Sequence, residues 1–227
     1  MMDRVCPSRM CYETSKRCFD ICLSAITLAL LSPVFLFVAI AVKCDSQGPS
    51  IHKGLRVGRQ GQPFNIYKFR TMVNGAQQGS PVTTEGDTRI TRFGRILRRW
   101  KIDELPNLIN IFMGNMSFVG PRPESPVYVN YYTAEQRQVF SVKPGIACLA
   151  QIRFPNEQSL LKGQELNERV YLQHMANKLE LDLLYVETSS FRGDLAILVC
   201  TFLAVFGIRI DLTKSFRRNH LCHLELS

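Results

Sequence analysis

Residues 21–42 read ICLSAITLALLSPVFLFVAIAV and contain no charged side chain. A continuous helix of this length reaches about 33 Å, enough for a hydrocarbon core of roughly 30 Å. Two features resist a simple span. Ser32-Pro33 falls at the midpoint, where proline removes a helix hydrogen bond and crowds the preceding turn. Both flanks are basic, with Lys16 and Arg17 before and Lys43 after, and basic flanks keep both ends in the cytoplasm. A bent hairpin that enters and leaves by one face satisfies both facts. Each half would reach about 16 Å, roughly one leaflet, and Ser32 can help satisfy a carbonyl freed at the break. A cleaved leader fits less well, because no small-residue cleavage site followed by a polar stretch is evident. On the residues alone, the span and the hairpin both stand.

Outward from this stretch the charge is uneven. The chain of 227 residues has 28 Lys and Arg against 19 Asp and Glu, a net +9. Eleven of the basic residues lie between Lys53 and Lys101, opposed there only by Glu85 and Asp87. A concentrated basic block predicts an anionic partner: nucleic acid, an acidic lipid surface or a phosphorylated small molecule. The eight cysteines form no CxxC pair, and Cys22 and Cys200 sit in apolar runs, which favours free thiols over disulfides or a zinc site.

After the turn cluster 45–50, Ile51–Val57 and Phe64–Met72 read as the strands of a hairpin around 58–61. The period of two puts Phe64, Ile66, Lys68 and Arg70 on one face, although a solvated, charge-protected edge strand would show the same pattern. Residues 73–88 read as a loop. Arg89–Trp100 reads as a helix with a buried stripe of Phe93, Ile96, Leu97 and Trp100. Arg92, Arg95 and Arg99 form a second stripe, with Arg98 beside it and no acid among them.

Asp103-Glu104 follows at a predicted helix start, with Asp103 as the cap, Pro106 in the first turn and Gly114 as the stop. A helix start suits carboxylates and a bound phosphate alike. Two adjacent carboxylates divide labour more readily than they share a proton: one attacks or accepts a proton, the other holds a divalent cation with substrate phosphates. Arginines around them would grip phosphate oxygens and offset charge during phosphoryl transfer. A DE pair alone is weak. The pair, the arginines, Pro121-Arg122-Pro123 and the apolar stretch together are much stronger.

Further on, Tyr131–Phe140 reads as a polar helix, Lys143-Pro144-Gly145 as a turn and Gln164–Tyr185 as a long amphipathic helix. Leu195–Phe206 is apolar but too short to span, which suits a core or interfacial helix. Lys214, Arg217 and Arg218 could reach lipid headgroups. His220, Cys222 and His223 at the C-terminus read as a frayed end rather than a metal site.

From Lys16 to Phe206 the chain resembles the bacterial sugar transferases, the monotopic phosphoglycosyl transferases that act on polyprenyl phosphate. The resemblance rests on KRCFD (16–20), Ser32-Pro33, DSQGP (45–49), Arg56–Gly58, YKFRTM (67–72), D-x-R-I-T (87–91) and GRILRR (94–99). It continues through DELPNLIN (103–110), GNMSFVGPRP (114–123), KPGI (143–146) and DLLYVETSSFRGDLAIL (182–198). It implies transfer of a sugar 1-phosphate from a UDP-sugar to undecaprenyl phosphate, with release of UMP, as the first membrane step of surface glycan synthesis. It implies Asp103 as the nucleophile that captures the phosphosugar, and Glu104 as ligand to Mg²⁺. Lys68, Arg70, Arg98 and Arg122 fall on phosphate-binding positions, and Ser32-Pro33 on the break that makes the membrane helix re-entrant. Two departures stand out. The family's usual PGITG is here Pro144-Gly145-Ile146-Ala147-Cys148. The segment after Gln151 runs Ile152-Arg153-Phe154-Pro155-Asn156, where Arg153 is a candidate for the displaced arginine.

The expected fold is α/β of an irregular, mostly helical kind: a re-entrant helix-break-helix, a small globular catalytic domain with interfacial amphipathic helices, and a short β-hairpin. Residues 1–45 would form the membrane element, 46–206 the cytosolic catalytic domain and 207–227 a basic tail, the small form of the family. The expected place is the bacterial inner membrane, facing the cytoplasm. Expected partners are a UDP-sugar, polyprenyl phosphate and membrane lipids, with a homodimer left open and nucleic acid excluded. The alternative is a membrane-tethered protein that binds an anionic ligand or nucleic acid through the basic block, though no nucleic-acid-binding motif supports it. A glycosyltransferase that releases UDP is disfavoured by the absence of a DxD triplet.

Overall fold

The computed structural model describes residues 7–73, 75–76, 87–154 and 168–217. Most of the expected loop 73–88, the start of the helix expected from Gln164, the Pro155-Asn156 segment, Arg218 and the trio His220, Cys222 and His223 lie outside the described residues. The architecture is mostly helical, with two small two-stranded sheets.

Helix α1 runs from Pro7 to Asp45, with Pro33 inside it. Its buried residues Asp20, Ser24, Val38 and Val42, with Leu28, Leu31 and Phe35 packed between them, recur every three or four positions. That spacing is one face of a helix, so α1 lies against the body of the protein from Asp20 to Val42. The expected break at Ser32-Pro33 does not interrupt it. Proline lacks the N–H that the Ala29 carbonyl would receive, and Ser32 Oγ donates to that carbonyl at 2.8 Å instead. The helix-break-helix is therefore corrected to a single helix carrying a proline. The outward face of α1 stays apolar, with Ile26, Leu30, Phe37 and Ile40 exposed.

Strands β1 (Ile51–Val57) and β2 (Pro63–Phe69) form the expected antiparallel hairpin, in register Ile51 to Phe69. Helix α2 (Arg92–Arg99) is capped by Thr91, whose side chain accepts from the Gly94 amide. Gly94 permits the close approach of this helix to the segment just after β2: a methyl group there would meet the Thr71 carbonyl oxygen at 2.3 Å. Helix α3 (Asn107–Met113) ends at Gly114, which takes the left-handed conformation expected of a C-terminal stop.

Strand β3 (Ser117–Val119) pairs in parallel with β4 (Gly145–Ala147). The sequence reading made Lys143–Gly145 a turn and missed this pair, because three-residue strands paired across 28 positions leave no local pattern. Helix α4 is a single turn (Pro126–Val129), and Gln136–Ser141 is a 3₁₀ helix where a longer polar helix was expected. Helix α5 (Leu149–Arg153) is followed by α6 (Glu168–Thr188) and α7 (Phe191–Val205).

The core lies between these elements. Val119, Leu149, Leu184 and Ile197 form one cluster; Ile66, Leu108, Ile111 and Met116 form another under α1. Ile111 and Leu97 are wholly enclosed, and truncating either to Ala costs about 2–5 kcal/mol. Helix α7 buries Ile197 and Cys200 but exposes Leu195, Val199, Phe202 and, just beyond it, Phe206. The run 195–206 is thus half core and half outward apolar face. The described cysteines Cys11, Cys18, Cys22, Cys44, Cys148 and Cys200 are free thiols, as expected.

Candidate active site

The acid pair sits in a 3₁₀ turn, Ile102–Glu104, and not at the start of α3 as expected. Lys101 adopts a left-handed backbone, φ 57°, and resets the chain direction after α2. Asp103 is consequently no helix cap; Pro106 occupies that position for α3. In a 3₁₀ turn adjacent side chains diverge by about 120°, so the two carboxylates meet different surroundings.

Glu104 is pinned. Its Oε1 accepts from Lys68 Nζ at 2.7 Å and from Arg122 Nη2 at 2.8 Å. Burial alone would raise its pKa, but the two cations override this and hold it well below the ordinary range. Removing one partner from such a buried ion pair typically costs about 3–5 kcal/mol. Asp103 is the opposite case. Burial, then the charge of Glu104, pushes its pKa up, and Oδ1 is buried without a hydrogen-bond partner. One acid is fixed and ionised; its neighbour is more basic and has an oxygen unengaged.

The cations come from distant segments. Lys68 lies on β2, where the hairpin register turns it toward Glu104. Arg122 comes from the Pro-Arg-Pro turn after β3. In its hydrogen-bonded orientation Gln151 donates to the Ile146 carbonyl at 2.9 Å and accepts from Arg122 Nη1 at 2.6 Å. Arg98 is half-buried on α2 and donates from Nε to Thr71 Oγ1 at 2.8 Å; Asp103 and Glu104 both act on its charge. The sequence-predicted Lys68, Arg98 and Arg122 are thus assembled around the acids.

Arg70 is placed differently. Its Nη2 donates to the carbonyls of Val42 and Ser46 and to Ser46 Oγ, at 3.2, 2.6 and 3.0 Å, and so closes the end of α1. Its Nε and Nη1 are buried without partners. Arg92, Arg95 and Arg99 are exposed, and so are Ile96 and Trp100, which the sequence reading placed in the core. The arginine stripe of α2 faces outward and not onto the acids. Arg153 stands 3.9 Å from Asp211 in an exposed pair, so it does not replace an arginine beside Glu104.

Several supporting residues escaped the sequence reading. Thr71 orients Arg98, and Gln151 orients Arg122. Asn110 ties α3 to β2, accepting from the Tyr67 amide at 3.0 Å and donating to the Asn65 carbonyl at 2.7 Å. YKFRTM and DELPNLIN contain Thr71 and Asn110, but only their charged members carried a recognisable chemical signal. The departure at Ala147-Cys148 is absorbed structurally: Cys148 Sγ caps α5 by accepting from the Gln151 amide at 3.3 Å, and burial pushes its thiol up to about 12.

Asp103 Oδ1 and Asn107 Oδ1 are both buried oxygens without partners. With Glu104 they supply the hard oxygen donors that Mg²⁺ prefers, few enough to leave positions for water and phosphate. The chemistry of these donors, carboxylate and amide oxygens, suits such an ion.

The family model for bacterial sugar transferases matches residues 11–207. A UDP-glucose:undecaprenyl-phosphate glucose-1-phosphate transferase of Caulobacter vibrioides is 38% identical over 85% of this chain and 70% of its own length. A UDP-N-acetylgalactosamine-undecaprenyl-phosphate N-acetylgalactosaminephosphotransferase of Aeromonas hydrophila is 34% identical over 87% of this chain, but only 46% of its own length is matched. An uncharacterized sugar transferase of Bacillus subtilis, EpsL, is 37% identical over 82% of this chain and 84% of its own. The chain belongs to the bacterial sugar transferase family.

Proposed function

We propose that this chain transfers a sugar 1-phosphate from a UDP-sugar to undecaprenyl phosphate and releases UMP. The observation that carries the reading is the contrast between the two acids: Glu104 held by Lys68 and Arg122, and Asp103 buried beside it with an oxygen unengaged. Asp103 attacks the phosphorus that bears the sugar, forming an aspartyl phosphosugar as the bond to the UMP oxygen breaks. A phosphate oxygen of undecaprenyl phosphate then attacks the same phosphorus, forming the diphosphate and freeing Asp103. Lys68, Arg98 and Arg122 offset the phosphate charge, so that a carboxylate can approach an anion. Arg70 contributes indirectly, by holding the end of α1 through Val42 and Ser46. Glu104, with Asp103 and Asn107 close by in sequence, would hold Mg²⁺, which when bound neutralises phosphate charge.

The membrane seating follows from α1. Both ends of its apolar stretch attach to the same body: Arg17 and Asp20 near the start, and Val42 and Ser46 near the end. A helix held this way keeps both ends on one side of the bilayer, which supports a monotopic element at the cytoplasmic face rather than a span. Residues 1–45 then serve as the membrane element of the catalytic body 46–206, at the inner membrane.

The test is direct. Purified protein with undecaprenyl phosphate and Mg²⁺ is screened across UDP-sugars for UMP release, and trapped enzyme is analysed by intact mass. UMP release together with a phosphosugar adduct that is lost in Asp103→Asn is the expected result. Release of UDP, or full turnover by Asp103→Asn, overturns the reading.

A further inference from the structure

A second group of cations lies at the opposite end of α3 from the acid pair, and the reaction does not use it. Gly114 closes α3 at φ 91°. A methyl group there would lie 3.1 Å from Arg17 Nη2 and 3.5 Å from Lys143 Nζ. The two cationic heads thus converge on one point, close enough for a single phosphate to bridge. Arg17 also donates to the last carbonyls of α3, from Nη1 to Ile111 at 2.7 Å and from Nη2 to Phe112 at 2.8 Å. These contacts fix the guanidinium in place. Lys143 makes no hydrogen bond or ion pair among the described residues. Partial burial lowers its pKa, and Arg17 and Arg59 add to this more than Asp20 and Glu13 relieve it. Asp20 acts on both charges but is committed to Ser117 and the Phe118 amide, and Glu13 pairs with Arg59. Neither carboxylate bonds Lys143, so the pair calls for an anion from outside the chain.

The surroundings say which anion. Phe112 and Met113, beside the pair, are 47% and 61% exposed. Past Arg17 the exposed residues of α1 before the proline are Cys18, Ile21, Cys22, Ile26, Ala29, Leu30 and Ser32, none of them charged. The cations therefore stand on the rim of an exposed apolar surface, where a phosphate and an acyl chain can be met together. We propose that Arg17 and Lys143, with Phe112 and Met113, form a binding site for the phosphate of an anionic membrane phospholipid such as phosphatidylglycerol. The site rests on the membrane seating argued above and adds a defined headgroup contact to it. Because it sits at one end of α3 and the acid pair at the other, it sets the depth of the catalytic turn relative to the bilayer.

The experiment is flotation of the full chain with vesicles of phosphatidylcholine, with and without phosphatidylglycerol. The expected result is tighter binding to the anionic vesicles, with the preference reduced about five-fold in Lys143→Gln, the effect of one basic residue at a lipid surface. Lys143→Arg retains the preference, and Lys53→Gln, on the hairpin, leaves it unchanged. Removing Lys143 relieves repulsion, so the thermal midpoint does not fall. An unchanged preference in Lys143→Gln, or an equal loss in Lys53→Gln, overturns the site but leaves the membrane seating intact. So does suppression of the preference by inorganic phosphate or by undecaprenyl phosphate, which would assign the pair to a different phosphate. Failure of the wild-type chain to float with either vesicle overturns both readings.

Discussion

Two arginine-rich regions of this molecule look alike in composition and differ in what they do. On α2, Arg92, Arg95 and Arg99 share a helix face with exposed Ile96 and Trp100. Around Glu104, Lys68 and Arg122 arrive from a strand and a turn far apart in sequence, each braced by other side chains or by register. The first region is basic because of spacing within one helix, the second because the fold brings separate segments together. Cations that are neighbours in sequence spread over a surface. Cations that converge on one carboxylate have been placed there by packing, and their charge is focused on that one acid.

Substitutions can break that contrast. The largest effect is expected at the acid the converging cations serve: Asp103→Asn should lower UMP release about 10⁴-fold or more, as loss of a covalent nucleophile does, with the phosphosugar adduct absent by mass. Arg122→Ala should cost about 10²–10³-fold in turnover, comparable to removing one preorganised charge-stabilising donor. If the outward arginines took part in catalysis, Arg95→Ala would do the same. Instead, Arg95→Ala should leave turnover in detergent unchanged and weaken vesicle binding about five-fold. Chelation of divalent cations should abolish UMP release while leaving vesicle binding of the apolar surfaces in place, and restored turnover on adding Mg²⁺ checks the requirement for that ion.

The smallest effect concerns the support behind Arg122. Asp182 on α6 is fully enclosed beside the Pro121-Arg122-Pro123 turn, and burial raises its pKa to about 7, with Arg122 and Lys178 opposing. A carboxylate raised in the folded state favours folding fully below its unfolded pKa, roughly 3.9, and loses that advantage as pH rises through the folded value. Asp182→Asn keeps a neutral group in the same space. It should therefore match the wild type at pH 4 and exceed it at pH 8, by at most about 4 kcal/mol. Thermal midpoints at the two pH values measure this, and a variant less stable at pH 8 would show that the carboxylate is needed in its charged form.

The charged residues of the site were legible because each belongs to a short motif: Lys68 in YKFRTM, the acids in DELPNLIN, Arg122 between two prolines. The hairpin was legible through its period of two and the glycines at its turn. What the sequence could not reveal was the direction in which a face looks. Periodicity divides α2 into stripes, but whether Ile96 and Trp100 meet a core or the outside depends on which elements arrive, and none of the described elements covers them. Lys101 hid the true position of the acids, because its left-handed turn interrupts what otherwise scans as the start of one helix. Gln151 and Thr71 carry no charge, and their importance exists only through the arginines they hold. Ser32-Pro33 was read as an interruption because proline removes a donor; the sequence reading gave the serine hydroxyl to a freed carbonyl, and in the structure that local bond accompanies an unbroken helix.

Arg70 joins the end of α1 to the last turn of the hairpin, and the very next residue, Thr71, grips Arg98. Two consecutive side chains thus form a short mechanical train between the apolar helix α1 and an arginine beside the acid pair. Tilting α1 in a bilayer of different thickness would load Arg70 first and Arg98 next, before any change reached the acids. Bilayer thickness would then tune turnover as a tension applied to the site.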